Sequence, residues 1–397
     1  MERLGLKEVI KGMFYLTKIG QFCDENVNWE EILTKAPYSI KIKRDGEYVI
    51  FNYNQLESDF NIDIVREARG IIFKEGEWRK PVCHAFDKFG NYGESYVPEI
   101  DWDTAIVTEK IDGSLIKIWY DKDWRISTNG TINAFKAELN NVKFQTYGDL
   151  LMECFNVNST SALFDFLKTL DKGSTYMFEL VSPYNRVVIP YKETKLYFLG
   201  LRNEDGIVKP FHQCPTMVAK MRAYGIDTPK VYHLGSLEQC IEATKELPWD
   251  EEGYVVDDMF GERVKIKSPA YVVAHHARNN GAITKAALID IILANETEEF
   301  LTYAEEYRED IDKLKSDMFQ LQLEFAQWYM YIMLKHYDNR KEFAEAVKEC
   351  PRVVQPYAFK NYEQMISFND YVKDWNGKKW ERVLDSYEGF NSNRHAE

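Results

Sequence analysis

The chain has 397 residues, with 50 Lys and Arg against 64 Asp and Glu, for a formal net charge of −14. Hydrophobic residues make up 45% of it and charged residues 29%, an ordinary globular composition that excludes a disordered chain, a fibrous repeat and a basic histone-like protein. The length points to two or three domains. An acidic protein of this kind binds nucleic acid only through a local basic groove, because its global field repels phosphate.

Residues 1–35 read as a helical lead-in carrying Leu6, Ile10, Phe14 and Leu16. A hairpin follows: residues 39–43 alternate, Asp45-Gly46 supplies a type I′ turn, and residues 48–51 return. Strand-like runs recur at 70–73, 115–120, 124–127, 175–181, 195–201, 254–257 and 263–267, with helical stretches around 133–170 and 213–224. No regular βαβ alternation is present, so the pattern predicts an α+β unit with antiparallel strands.

After about residue 272 the period-2 signal stops. Residues 286–293, 298–307 and 311–337 read as helices. Phe319, Leu323, Ala326 and Met330 share one helical face, and the all-round apolar stretch 326–334 predicts a buried helix. This places an α+β domain at 1–272 and an all-helical domain at 273–397. The second carries 16 Lys and Arg against 22 Asp and Glu, so it is no basic nucleic-acid arm. Six scattered cysteines without a C-x-x-C pair predict free thiols in a reducing compartment. With no apolar leader at the start and no apolar stretch long enough to span a bilayer, the expectation is a cytoplasmic protein without a membrane partner.

The sharpest chemical feature is Glu109-Lys110-Ile111-Asp112-Gly113-Ser114, set between two strand-like runs. A lysine in such a turn projects into a cleft, and Gly113 lets the backbone approach a ligand. Alone, the motif is weak and fits a solvated turn better. Its weight comes from the ordered set around it. Arg69 stands at a strand entrance, and Lys88-Phe89-Gly90-Asn91 adds a cation. Glu179 sits inside an apolar strand, where a carboxylate needs a partner. Phe198 and Tyr197 follow, then Glu252 at another strand entrance, then Lys265 and Lys267 on one strand face. Five cations suit a polyphosphate, and the acids suit a divalent metal. His84 and His212 are isolated and give no ligand spacing.

In that order the elements resemble the covalent nucleotidyltransferases, and among them the phage-type (T4-like) ATP-dependent RNA ligase 1 family. The resemblance runs from about residue 38 to about 275. Residues 179–189, Arg69-Gly70 and Lys88-Phe89-x-Asn91 match that family rather than DNA ligases. It implies a nucleotidyltransferase (ATP-grasp-like ligase) domain of antiparallel sheets with flanking helices, an all-α C-terminal domain, and use of ATP with Mg²⁺ or Mn²⁺. It further implies that Lys110 is the nucleophile that becomes lysyl-AMP. Free lysine is almost wholly charged at neutral pH, and neighbouring cations favour its neutral form. Lys265 and Lys267 would act in this way and hold phosphate oxygens. Arg69 and Lys88 would bind phosphates of the nucleotide or of the RNA 5′ end. Glu109 would belong to the nucleotide site, Glu179 would bind the ribose hydroxyls, and Glu252 would hold the metal. Phe198 would wall the adenine, with Tyr197 on the other strand face.

The implied reaction joins 5′-phosphate and 3′-hydroxyl RNA ends through an adenylylated 5′ end, in RNA or tRNA repair. The protein would be a monomer, and its helical domain would recognise RNA such as nicked tRNA. One position departs from the family: where the related ligases carry a Lys before a Gly, this chain has Asn129-Gly130. Asparagine can donate a hydrogen bond but brings no charge. The alternatives are weaker. A DNA ligase or capping enzyme would place a strand-rich OB domain after Lys265-x-Lys267, where this sequence reads helical. A non-catalytic RNA-binding protein on the same scaffold would lack Lys110 or its partners, and all are present.

Overall fold

The first hairpin forms where its turn residues place it. β1 (Lys41–Asp45) and β2 (Tyr48–Asn52) pair antiparallel with Asp45 opposite Tyr48, leaving a two-residue loop. Gly46 takes φ of 63° and Glu47 stays at negative φ. A positive φ at the first loop residue alone is the pattern of a type II′ turn rather than the expected I′. β3 (Arg69–Lys74) completes this three-stranded sheet. Its inner face packs Val49, Phe51, Ile71 and Phe73 against Ile19, Leu33 and Trp78, with Ile19 and Leu33 supplied by the helices Lys18–Glu25 and Trp29–Leu33.

This computed structural model describes residues 16–139, 141, 143–155, 161–276, 283–335, 337–364 and 366–394. Leu6, Ile10 and Phe14 of the expected lead-in lie outside them. The chain divides into two compact units, residues 1–272 and 273–397.

The first unit holds two further sheets. One has the order β10-β4-β11-β12, built from Val231–Tyr232, Ile106–Glu109, Gly253–Asp257 and Arg263–Lys267. The other has the order β6-β5-β7-β8-β9, built from Asp123–Thr128, Ser114–Asp121, Thr175–Val181, Lys195–Arg202 and Val208–Pro210. Strand pairing within both is antiparallel, so this unit is α+β.

The five-stranded sheet has two unlike faces because strand side chains alternate. One face buries Ile116, Ile118, Tyr176, Phe178 and Phe198 in a large hydrophobic core. Helices Tyr147–Glu153, Ser161–Lys168 and Pro215–Ala223 supply the other side of that core. The opposite face carries Leu115, Met177 and Glu179. Leu115 and Met177 pack against Ala85 and Phe86.

The second unit is helical throughout its described residues: Lys285–Leu293, Thr297–Tyr303, Arg308–Met333, Arg340–Val347, Gln355–Gln364, Phe368–Val372 and Gly377–Arg394. The 26-residue helix Arg308–Met333 buries Ile311, Leu314, Leu321, Phe325 and Ile332. Phe319 and Met330, on the face that the periodicity marked for the core, are 60% and 57% exposed. Both faces of this helix are apolar, and aromatic packing decides between them. Phe325 sits among Tyr357, Phe368 and Tyr371 with ring centroids 5.1–6.4 Å away. Residues 326–334 are therefore not buried all round, and Leu334 is exposed. Among the described residues no helix is long and apolar enough to cross a membrane.

Truncating Phe198 opens a cavity beneath the five-stranded sheet. We expect Phe198→Ala to cost about 3–5 kcal/mol in urea unfolding, and Phe319→Ser to stay within roughly 0.5 kcal/mol of wild type.

Candidate active site

The position of Lys110 follows from backbone pairing. β4 ends at Glu109, and Lys110 extends its ladder by donating its N–H to the Gly253 carbonyl at 2.9 Å. That register sets Glu252, the residue before β11, beside the lysine: Lys110 Nζ lies 2.6 Å from Glu252 Oε1. The Glu252 carbonyl accepts from the Ser268 N–H at 2.8 Å, which brings the end of β12 alongside. Lys267 Nζ then stands 3.9 Å from the same Oε1. Glu252 is 4% exposed, and its Oε2 is buried without a hydrogen-bond partner among the described residues.

The turn after Lys110 is clamped from three sides. Asp112 Oδ2 accepts from the backbone N–H groups of Val188 and Ile189 at 2.9 and 2.8 Å. Its Oδ1 accepts from the Tyr271 hydroxyl at 3.0 Å. Gly113 passes so close to the next strand that a Cβ there would lie 2.5 Å from the Leu180 carbonyl. The aspartate and glycine of the motif thus fix the turn, and the lysine is the group it presents.

The strand carrying Lys265 gains a backbone strap. Tyr92 donates its N–H to the Lys265 carbonyl at 2.7 Å, and the Lys265 N–H donates to Gly90 at 3.0 Å. Lys88-Phe89-Gly90-Asn91 therefore runs beside β12. Burial pushes the Lys265 ammonium well below the ordinary lysine range, reinforced by the charges of Lys88, Lys267, Lys110 and Arg69. Glu179, on the facing sheet, is raised to about 7 by burial; Lys110 opposes that shift and Glu252 adds to it.

These elements enclose a cavity of about 460 Å³. Of the residues singled out in the sequence, Arg69, Glu109, Lys110, Glu179 and Lys265 line it. Glu252 and Lys267 adjoin it through Lys110. Lys88 is 8% exposed, with Nζ 4.2 Å from the Phe60 ring centre and 5.0 Å from that of Tyr53. Phe198 is placed elsewhere. It is 0% exposed and packs on Phe178 at 5.6 Å in the core, on the face of the sheet away from Glu179. The expectation that it walls the adenine is corrected: strand alternation gives Glu179 and Tyr197 one face and Phe198 the other.

Aromatic walls come instead from Phe86, Phe89 and Phe211. Arg69 and Lys265 lie over the Phe89 ring at 5.5 and 4.9 Å. Arg263 also lines the cavity, 4.1 Å from the Phe86 ring centre and 3.3 Å from Asp257. It was missed in the sequence although it stands two residues before Lys265 on the same strand face. Extending the Lys265/Lys267 period one step would have found it. His84 and His212 each pair with a carboxylate, Asp87 at 2.6 Å and Asp257 at 2.7 Å.

Aromatic walls beside a row of cations suit a nucleobase joined to phosphates. Among the described residues no group of three or more His, Cys, Asp or Glu is arranged to hold a metal. The unpartnered Oε2 of Glu252 does fit a magnesium-like ion, which takes one or two carboxylates and completes its shell with water and phosphate.

A carboxyl group raised in the folded state stabilises the fold below its unfolded value, and that contribution is lost as pH rises through the folded value. For Glu179 the window runs from about 4.5 to about 7. We expect Glu179→Gln to melt close to wild type near pH 4 and a few degrees above it at pH 8. A constant difference across this range would contradict the placement of Glu179.

Residues 67–271, more than half of the chain, match the model of a family described as RNA ligase. A protein of Autographa californica nuclear polyhedrosis virus, named as a candidate bifunctional polynucleotide kinase/RNA ligase, is 30% identical over 282 residues, covering 66% of this chain and 39% of that one. The RNA ligase of Rhodothermus phage RM378 is 26% identical over 333 residues, 70% of this chain and 74% of that one. An archaeal ATP-dependent RNA ligase structure aligns over 80% of this chain and 84% of its own at 13% identity and a TM-score of 0.43. The chain thus spans well under half of the baculovirus relative and about three quarters of the phage one. The ordered motifs, the cavity they line and this match lead to one assignment: the chain belongs to the T4-like RNA ligase 1 family.

Proposed function

We propose that this protein is an ATP-dependent RNA ligase that joins 5′-phosphate and 3′-hydroxyl ends through lysyl-AMP. The observation that carries the reading is the contact of Lys110 with buried Glu252 at a cavity lined by Arg69, Lys265 and aromatic rings. ATP would seat its base against the aromatic walls, its ribose hydroxyls on Glu179 and its phosphates on Arg69, Lys265 and Lys267.

Lys110 Nζ then attacks the α-phosphorus. A P–N bond forms, the P–O bond to pyrophosphate breaks, and the amine gives up a proton, for which Glu252 is the nearest acceptor at 2.6 Å. In the second step an RNA 5′-phosphate oxygen displaces Lys110, so that the P–N bond breaks and a phosphoanhydride forms. In the third a 3′-hydroxyl attacks that 5′-phosphate and releases AMP. Glu252 is the residue that would hold Mg²⁺ or Mn²⁺, which supplies charge neutralisation at the phosphates. Lys88 is assigned to the phosphate of the RNA 5′ end.

The helical unit is assigned to RNA selection, with nicked tRNA as the first substrate to try. Recognition of this kind rests on shape, phosphates and unpaired loops. The absence of strands among its described residues weighs against a DNA ligase or capping enzyme, which would carry an OB domain there.

The test uses ATP labelled at the α-phosphate, with Mg²⁺. Wild type should become covalently labelled and lose the label to pyrophosphate, Lys110→Ala should take none, and Glu252→Ala should label about 10²-fold more slowly or worse. The wild-type adduct should discharge to 5′-phosphorylated RNA in preference to DNA. Labelling by GTP in place of ATP, or none from folded protein, would overturn the reading.

A further inference from the structure

One buried cation has no place in the scheme above. Lys117 stands mid-strand in β5, opposite Ser127 and Met177 and on the face that carries pocket-lining Leu115. It is 0% exposed. Its ammonium donates to the Gly70 carbonyl, and among the described residues no carboxylate pairs with it. An ammonium has three donors, and a carbonyl of this kind engages one of them.

The second observation lies on the neighbouring strand pair. Gly70 has φ of +74°, and the space left by its missing side chain is filled from two directions. A Cβ there would lie 2.9 Å from Lys117 Nζ, 2.3 Å from the Asn129 carbonyl oxygen and 3.1 Å from Asn129 Oδ1. That Oδ1 is buried and, among the described residues, has no hydrogen-bond partner. Asn129 itself lines the pocket, as does Arg69. An unsatisfied buried acceptor and a lysine with spare donors thus flank the same glycine, directly behind the wall where phosphates are assigned.

We propose that Lys117 is a positioning residue for the nucleotide phosphates: it directs a second N–H to Asn129 Oδ1, which turns the Asn129 amide so that its Nδ2 hydrogens face the pocket beside Arg69 and donate to a phosphate oxygen. Asn129 alone brings a donor without a charge and could sit with either end inward. Lys117 settles which end faces the ligand and adds a positive field behind it. Burial holds the Lys117 ammonium below its ordinary range and Arg69 adds to this, so an anion in the pocket favours its charged form. Gly70 is required because any side chain would separate the two partners.

This inference rests on the nucleotidyltransferase reading, and the experiment separates the two. The rate of covalent labelling from α-labelled ATP is followed against ATP concentration for wild type, Lys117→Met, Asn129→Leu and the double variant, with a thermal melt of each. We expect each single variant to raise the half-saturating ATP concentration about tenfold, with the rate at saturation changed much less. The double variant should be no worse than the weaker single one, because both break one chain of contacts. Asn129→Lys placed in the Lys117→Met background should recover most of the affinity by returning the charge.

Folded Lys117→Met with wild-type ATP dependence would overturn the proposal, and so would single losses that multiply in the double variant. If Lys117→Met fails to fold, Asn129→Leu decides: an unchanged ATP dependence there overturns it. A wild type that takes no label overturns the nucleotidyltransferase reading and this proposal with it.

Discussion

The pocket gathers more cations than carboxylates: Arg69, Lys110, Arg263 and Lys265 line it and Lys267 adjoins it, against Glu109, Glu179 and Asp257 in the lining and Glu252 beside Lys110. Lys110 and Lys267 both reach Glu252 Oε1, at 2.6 and 3.9 Å, and burial holds Lys265 well below the ordinary lysine range, with Lys88, Lys267, Lys110 and Arg69 adding to this. Like charges in a low-dielectric site repel; Glu109 and Asp257 are engaged by Lys230 and Arg263 and burial raises Glu179 to about 7, which leaves Glu252 facing Lys110 and Lys267. What holds them in place is backbone: the β4–β11–β12 ladder and the 90–92 strap bonded to Lys265. A polyanion entering the cavity would remove the repulsion, which is the physical basis for the proposed nucleoside triphosphate ligand.

Around that charge excess the fold divides its labour by strand alternation. The five-stranded sheet spends Phe178 and Phe198 on the core and offers Leu115 and Glu179 to the cavity. The same sheet is both foundation and wall, and a one-residue slip would exchange the two. The Lys110 turn works similarly. Asp112 and Gly113 tie it to residues 188–189, Tyr271 and Leu180, leaving the lysine as the side chain it presents.

Much of this is legible in the sequence. The Asp45-Gly46 hairpin, the antiparallel strands and the helices beyond residue 272 all have local signals, and local signals survive in the structure. Lys265 and Lys267 share a face because a strand's period is 2, which no tertiary contact can change. Failures came where the sequence leaves a two-fold choice to distant partners. Phe198 and Tyr197 are equally plausible cavity residues until the packing of Phe166 and Phe178 selects one face. The helix Arg308–Met333 is apolar on two sides, and the rings around Phe325 select between them. Lys117 was not singled out, because a lysine in Leu-Ile-Lys-Ile-Trp carries no local sign of burial. Only the passage of Gly70 over it shows that it is buried.

The account stands or falls on where the nucleotide becomes attached. The most direct measurement is peptide mass mapping of the protein after incubation with ATP and Mg²⁺, and again after addition of pyrophosphate. The account predicts a single added AMP on the peptide containing Lys110, removed by pyrophosphate. An unmodified Lys110 peptide from folded protein, or an AMP on another lysine such as Lys265 or Lys267, would contradict it.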